Sequence, residues 1–256
     1  MDYLLTDSFL NPPDTKEMFT EELCRLPVFY QYPPIEETPP VAAVPAEQTG
    51  HTTFGSFNNP AKVNEEVIRL WAEVLKAVPG SRLLLKFKNL YDQASLRDSV
   101  VEKFSTCGIG QDRIMFAVTD DTIIEHLERY CEVDIALDPF PFNGATTTFQ
   151  ALWMGVPVVS LVGETFSSRT AGSILHHLGL EELVVDTPEA YVACVRDLAG
   201  DVARLGTLRV TLREQIATSP ICDASACARN VETAYRDMWR IWCAKSNISH
   251  DENGKR

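Results

Sequence analysis

The sequence has no apolar run long enough to cross a bilayer: its longest, such as residues 156–162, fall far short of the roughly 20 residues a spanning helix needs. The N-terminus, Met1 to Asp7, has no basic stretch, apolar segment or small-residue cleavage site, so nothing marks it for secretion and a cytoplasmic location is expected. Seven cysteines are present but no CxxC pair and no histidine at ligand spacing, which argues against a disulfide framework and a structural zinc. Basic residues are in deficit, with 23 Lys and Arg against 36 Asp and Glu and a net charge of -13. Without a Lys/Arg stripe, such a chain repels nucleic acid. GxSxG, Walker A and HExxH motifs are missing, as is any Ser/His/Asp order, so hydrolase and kinase readings lose support.

What is present is an ordinary globular composition in 256 residues. Residues 1–50 differ from the rest: Pro12-Pro13, Pro33-Pro34, Pro39-Pro40 and Pro45 interrupt every candidate helix, and only residues 16–26 show helical periodicity. They read as a connecting segment that wraps, with 35–50 extended. From Thr52 onward strand and helix patterns alternate. Strands are predicted at 52–57, 83–87, 114–117, 134–137, 157–162 and 183–185. Helices are predicted at 67–78, 94–107, 122–131, 148–154, 167–178, 188–198 and 201–217, with a final one at 225–243. Short, continuously apolar strands joined through helices imply an α/β fold: a Rossmann-like, doubly wound parallel sheet covered on both faces. The predicted organisation is a segment at 1–50, one domain at 51–245 and a disordered tail at 246–256.

In such a sheet, ligands sit beyond the carboxyl ends of the strands. The turn Pro139-Phe140-Pro141-Phe142-Asn143-Gly144-Ala145-Thr146-Thr147-Thr148 lies between the apolar run 133–138 and a helix. That layout lets backbone N–H groups and a positive helix end converge on a phosphate, with threonine hydroxyls capping the helix or reaching phosphate oxygens. The plainer reading is a capped helix start with Asn143-Gly144 as its turn. After the first predicted strand of the sheet, Lys62 is either a solvated lysine or a cation placed to neutralise a departing diphosphate. Lys86 and Lys88 are weaker versions of that idea. His126 and Arg129, at i and i+3, share a helical face and suit a phosphate or base edge, or else a structural hydrogen bond. His176-His177 reads as structural. Arg169 reads as facing a ligand or a partner domain, and Tyr235, Met238, Trp239 and Trp242 form an aromatic stripe suited to docking.

Four stretches carry a family resemblance: Phe54-Gly55-Ser56-Phe57-Asn58-Asn59 followed by Lys62; Glu125-His126-Leu127; residues 133–138 with the Thr-rich turn; and Ala151-Leu152-Trp153-Met154-Gly155-Val156-Pro157. Together, over about Thr52 to Cys243, the chain resembles the C-terminal catalytic half of the O-GlcNAc transferase and SPINDLY glycosyltransferases. The resemblance implies a GT-B arrangement, in which two Rossmann-like domains face each other and the C-terminal one holds a nucleotide-sugar donor such as UDP-GlcNAc. It implies inverting transfer to protein Ser/Thr hydroxyls with no metal and no cofactor. By position, Asn59 and Lys62 would meet the nucleotide and diphosphate, Lys62 as the catalytic stabiliser of the leaving group. His126 and Arg129 would lie by the nucleotide, Asn143 and Gly144 would form the turn that receives the donor, Thr146 and Thr147 would hold phosphate oxygens, and Gln150 would sit at the ribose.

Two positions depart from the family. Ala145 stands where Thr or His is usual, and Gln150 replaces an acidic residue, exchanging a charged acceptor for a neutral amide. No 34-residue repeat and no second α/β unit is visible, so the chain reads as half an enzyme: a fragment, a truncated product, or a domain whose N-terminal half and tetratricopeptide repeats are supplied in cis or trans. A non-catalytic interaction module that keeps the fold is the alternative. Neither nucleic acid nor a membrane is expected as a partner.

Overall fold

A computed structural model describes residues 2–253, with side chains through Ala244. Its centre is a six-stranded sheet of β3 (Thr53–Ser56), β4 (Arg82–Leu85), β5 (Ile114–Phe116), β6 (Ile135–Leu137), β7 (Val158–Leu161) and β8 (Val184–Val185). β1, β2 and α1, described below, precede it. Every pairing is parallel, in the order β5-β4-β3-β6-β7-β8. The central strands are buried on both faces: Phe54, Leu83, Leu85, Ile135, Leu137 and Val159 on one, and Leu84, Ala136 and Val158 on the other, are all core residues. That double burial is why the sequence shows continuous apolar runs rather than alternation.

Helices follow the strands: α2 (Glu65–Ala77), α3 (Ala94–Thr106), α4 (Ile123–Glu128), α5 (Thr146–Trp153), α6 (Thr170–His177), α7 (Pro188–Gly200) and α8 (Val202–Ala217). α2 shows how local chemistry sets an element. Asn64 caps its start by accepting from the Val67 amide at 2.9 Å, Glu65 and Glu66 complement the first turn, and Val67, Ile68, Trp71, Val74 and Leu75 bury one stripe. α5 stops at Met154, and Gly155 follows with φ +74. Glycine is required there twice over, since a Cβ would meet the Arg209 carbonyl and Val41 side chain at 2.7 Å.

Progression along the sheet runs β3, β4, β5 toward one edge, then returns so that β6, β7 and β8 run toward the other. The chain therefore diverges at the β3/β6 boundary, the place where ligands of such sheets usually bind, and the segments leaving these neighbouring strands meet there. Lys62 leaves from β3 and the threonine turn from β6.

The N-terminal segment departs from expectation. The helical periodicity at 16–26 is overridden: β2 (Glu22–Leu26) is a strand, paired in parallel with β1 (Tyr3–Asp7) from Tyr3↔Glu22 to Asp7↔Leu26. Asp7 explains why. Its carboxylate accepts from the amides of Phe9 (2.9 Å), Leu10 (2.8 Å) and Phe29 (3.3 Å) and from the Ser173 hydroxyl on α6 (2.9 Å), with His177 Nε2 at 3.5 Å. Arg169, expected to face a ligand or partner, instead donates to the carbonyls of Phe9 (2.6 Å) and Gly163 (3.0 Å). Tertiary hydrogen bonding thus wins over a weak local helical preference. Within the supposed linker, α1 (Pro45–Thr49) is a short helix whose Ala46 amide donates to Asp134.

The last helix, α9 (Ala224–Asn253), leaves Tyr235, Trp239 and Trp242 exposed, with the two indoles stacked at 5.0 Å. It continues past residue 245, so the tail expected at 246–256 is helix as far as Asn253, and 254–256 lie outside the described residues. No helix among the described residues is long and apolar enough to span a membrane.

Candidate functional site

The site is built on the two segments that part at the β3/β6 boundary. A short 3-10 turn, Pro60–Lys62, follows β3 and is capped by Asn59, whose Oδ1 accepts from the Ala61 amide at 3.0 Å. This turn aims Lys62 at the segment that follows β6. Its Nζ donates to the main-chain carbonyl of Asn143 at 2.7 Å and lies 4.2 Å from the Phe142 ring centroid. Burial pushes the Lys62 ammonium below its ordinary value, opposed by attraction to Asp138.

Opposite, the turn after β6 is pinned from within. Asn143 is almost fully buried, and its Nδ2 donates to the carbonyls of Pro139 (2.9 Å) and Leu161 (3.3 Å). The Gly144 amide donates to Asp138 Oδ1 at 2.6 Å, while Ser160 Oγ donates to Asp138 Oδ2 at 2.7 Å. Complete burial pushes the Asp138 carboxyl up to about 7, with Gly144, Ser160 and Lys62 pulling the other way. Gly144 has no room for a side chain: a Cβ would lie 2.6 Å from Thr147 Oγ1 and 2.7 Å from Thr148 Oγ1. The Phe140–Pro141 peptide is cis.

All three threonines occupy the first turn of α5. Ala145 at the cap position supplies no side-chain acceptor. Thr147 Oγ1 donates to Asn58 Oδ1 at 2.9 Å, stitching the β3 exit to the α5 start. Thr146 is exposed. The Tyr32 phenol, pushed up by burial and drawn back by the Thr146 hydroxyl, stacks on Phe149 at 4.5 Å. Lys62 bonds Asn143, three residues before the start of α5, whose first-turn amides and positive end follow directly.

Farther along the edge, His126 sits on α4, a helix opened by a reciprocal Thr122–Glu125 capping box. His126 Nδ1 is 2.8 Å from Lys86 Nζ, and its Nε2 is 3.2 Å from Gln150 Oε1 on α5. Burial first, then the Lys86 charge, holds the imidazole below its usual range. Arg129 bonds Asp120 (3.0 Å) and Glu132 (3.1 Å), and Asp120 in turn pairs with Lys86. Burial would raise Asp120, but Lys86 and Arg129 together hold it below the carboxylate norm. A crevice of about 740 Å³ adjoins the turn at Phe140, floored by Val67, Leu70, Leu161 and Val192 and rimmed by Glu66, Glu73 and Glu189.

Of the expected site residues, Lys62, Asn143, Gly144, Thr146 and Thr147 come together at one end of the sheet, with His126 and Gln150 joined beside them. Asn59 lies at the same mouth with its Oδ1 used as a cap. Arg129 belongs to the Asp120 pair. Sequence reasoning passed over Asn58, Asp120 and Asp138. The signal for Asp138 was an aspartate closing a buried strand, which is an expensive place for a carboxylate without donors.

Comparison with known proteins identifies the family. The family model for glycosyl transferase family 41 matches residues 47–231. The chain belongs to glycosyl transferase family 41. Within that family, it is 41% identical over 244 residues to the probable UDP-N-acetylglucosamine--peptide N-acetylglucosaminyltransferase SPINDLY of Oryza sativa subsp. japonica, covering 95% of this chain and 26% of the relative. The probable transferase SEC of Arabidopsis thaliana is 29% identical, over 98% of this chain and 26% of that protein. The structure of a mutant Thermobaculum terrenum O-GlcNAc transferase superposes with a TM-score of 0.84 at 34% identity, over 96% of this chain and 46% of that one. The family 41 chain described here thus spans about a quarter of the length of these curated relatives. The more distant TarM, at 9% identity and a TM-score of 0.53, shares the fold alone.

Proposed function

We propose that this chain is the nucleotide-sugar-binding half of a glycosyltransferase that modifies protein Ser/Thr hydroxyls. The observation that carries the reading is the Lys62 ammonium held 2.7 Å from the Asn143 carbonyl, three residues before the start of α5. A diphosphate entering there exchanges one neutral acceptor for charged oxygens and gains the first-turn amides of Thr146 and Thr147. Gln150 and His126 lie along the edge where the nucleoside would extend.

In the proposed transfer, the acceptor hydroxyl oxygen bonds the anomeric carbon from the face opposite the diphosphate, inverting that centre, and its proton is released to solvent. The carbon–oxygen bond to the diphosphate breaks with its electron pair on the departing oxygen. Negative charge grows as the bond breaks, so a fixed cation at that oxygen stabilises the transition state more than the bound donor. Lys62 has that role. No metal is assigned a part, and the acceptor would be held by a facing domain and helical repeats supplied in cis or trans.

A second reading, an interaction module without useful donor affinity, is favoured by three potential contacts being used within the protein: the Gly144 amide by Asp138, Thr147 Oγ1 by Asn58 and Asn59 Oδ1 by Ala61. Calorimetry of the folded chain with UDP, UDP-GlcNAc, GDP and GDP-fucose separates the two. Heat of binding with at least one supports the donor site; silence with all four supports the module.

A further inference from the structure

Lys86 lies just past β4, and its side chain is only 3% exposed. Its ammonium is 2.6 Å from Asp120 Oδ2 and 2.8 Å from His126 Nδ1. An ammonium has hydrogens to give and no lone pair, so His126 Nδ1 is the acceptor in that contact. A neutral imidazole accepting at Nδ1 carries its proton on Nε2. Nε2 therefore donates to its partner at 3.2 Å, and that partner atom on Gln150 is the carbonyl oxygen. The opposite carboxamide orientation would set an N–H2 against an N–H. Direction starts at Lys86, which donates to both Asp120 and His126, and passes through His126 to Gln150, leaving the Gln150 Nε2 group with no partner among the described residues. The imidazole is otherwise enclosed by Phe57 and Tyr130, and the charged groups facing it are Lys86 and, behind it, Asp120 with Arg129.

We propose that Lys86 is a positioning residue that, through the tautomer of His126, fixes the hydrogen-bond polarity of Gln150. The donor site then offers an N–H2 to the nucleotide's ribose and selects a ligand atom that accepts. An acidic residue at this position would offer only lone pairs and select a hydroxyl that donates. The inference rests on the donor-site reading for its ligand but not for its tautomer. A ribose hydroxyl satisfies either polarity by rotating; fluorine in its place is a weak acceptor and never a donor, so it separates them.

The test uses the whole chain with ¹⁵N-labelled histidine and glutamine. In the ligand-free protein, His126 is expected as the Nε2–H tautomer, with Nδ1 unprotonated, at neutral pH. Lys86→Met is expected to release Nδ1 and let the ring take up a proton on mild acidification. An Nδ1–H tautomer or an imidazolium in the unmodified protein at neutral pH overturns the proposal whether or not a nucleotide binds. On titration with UDP, the Gln150 side-chain N–H2 resonances should shift together with the Thr146 and Thr147 amides. If the threonine amides move and the Gln150 group does not, the polarity proposal fails and the donor site stands. If nothing moves at millimolar UDP, the donor site fails and takes the ribose assignment with it. The 2′- and 3′-deoxyfluoro analogues of UDP should each bind the unmodified chain within about threefold of UDP, whereas Gln150→Glu should lose about tenfold on fluorination of the hydroxyl it faces. A tenfold loss in the unmodified chain, absent in Gln150→Glu, reverses the assigned polarity. The readouts on the unmodified chain and on Gln150→Glu do not require Lys86→Met to be stable.

Discussion

Lys62 Nζ donates to the Asn143 main-chain carbonyl at 2.7 Å, joining the segments that leave the two neighbouring strands at which the chain reverses its direction of travel through the sheet. This one bond presets the ammonium where a diphosphate would sit and keeps it from folding out to solvent. Lys62→Ala is expected to lower UDP affinity by about tenfold or more, the scale of one charge-assisted hydrogen bond. The melting temperature should hardly change, because the lost bond joins segments outside the sheet. Calorimetry paired with thermal melts checks it; a large loss of stability with no change in affinity would assign Lys62 a structural role.

Asp138 gives the fold a pH dependence of unusual sign. Its folded-state value, about 7, lies above the 3.8 of an ordinary aspartate, so the folded protein keeps a proton that the unfolded chain releases. Stability contributed by this group therefore falls as pH rises from about 4 to about 7 and is level above that. Asp138→Asn should gain stability relative to the unmodified chain across that window, and urea unfolding at several pH values measures the difference. A difference that stays constant with pH excludes titration of Asp138 there.

The opposite sign is expected at Asp7. Burial alone would raise this carboxyl, yet His177, Leu10 and Ser173 hold it below the usual range. Its contribution is fully present above the unfolded value and is lost as pH falls through the folded one. Asp7→Ala strands several buried donors and should cost about 3 kcal/mol or more. Chemical unfolding reads the loss, and protease sensitivity at residues 1–30 should rise with it.

At the threonine turn, Gly144→Ala forces a Cβ against Thr147 and Thr148 and pulls Thr147 off Asn58. It should weaken both UDP binding and stability. Thr147→Val, which keeps shape and removes only the hydroxyl, should cost about 1 kcal/mol. If both variants bind UDP as the parent does, the turn takes no part in donor binding.

The sheet was legible because its central strands are buried on both faces, a property written into every residue of runs such as 134–137 and 157–161. Lys62 and the threonine turn were legible because a cation and a capped helix start fall at the carboxyl ends of neighbouring strands. The β1/β2 pair was not. Parallel strands need a long connection, and the partners of Asp7 lie on a distant helix, so no short window carries the pattern. Lys86 was visible as a lysine, but its burial depends on Asp120 and His126, which reach it only through the fold.

The family model matches from residue 47, whereas the architecture begins at Tyr3. Trimming a gene to the aligned span would discard Asp7 and Phe9, baring the Ser173 hydroxyl and the Arg169 guanidinium that now hold them. It would also strip Tyr32 from the face of Phe149, three residues from the threonine that opens α5. Expression boundaries drawn from the family model alone would therefore cut away a girdle on which α5 leans.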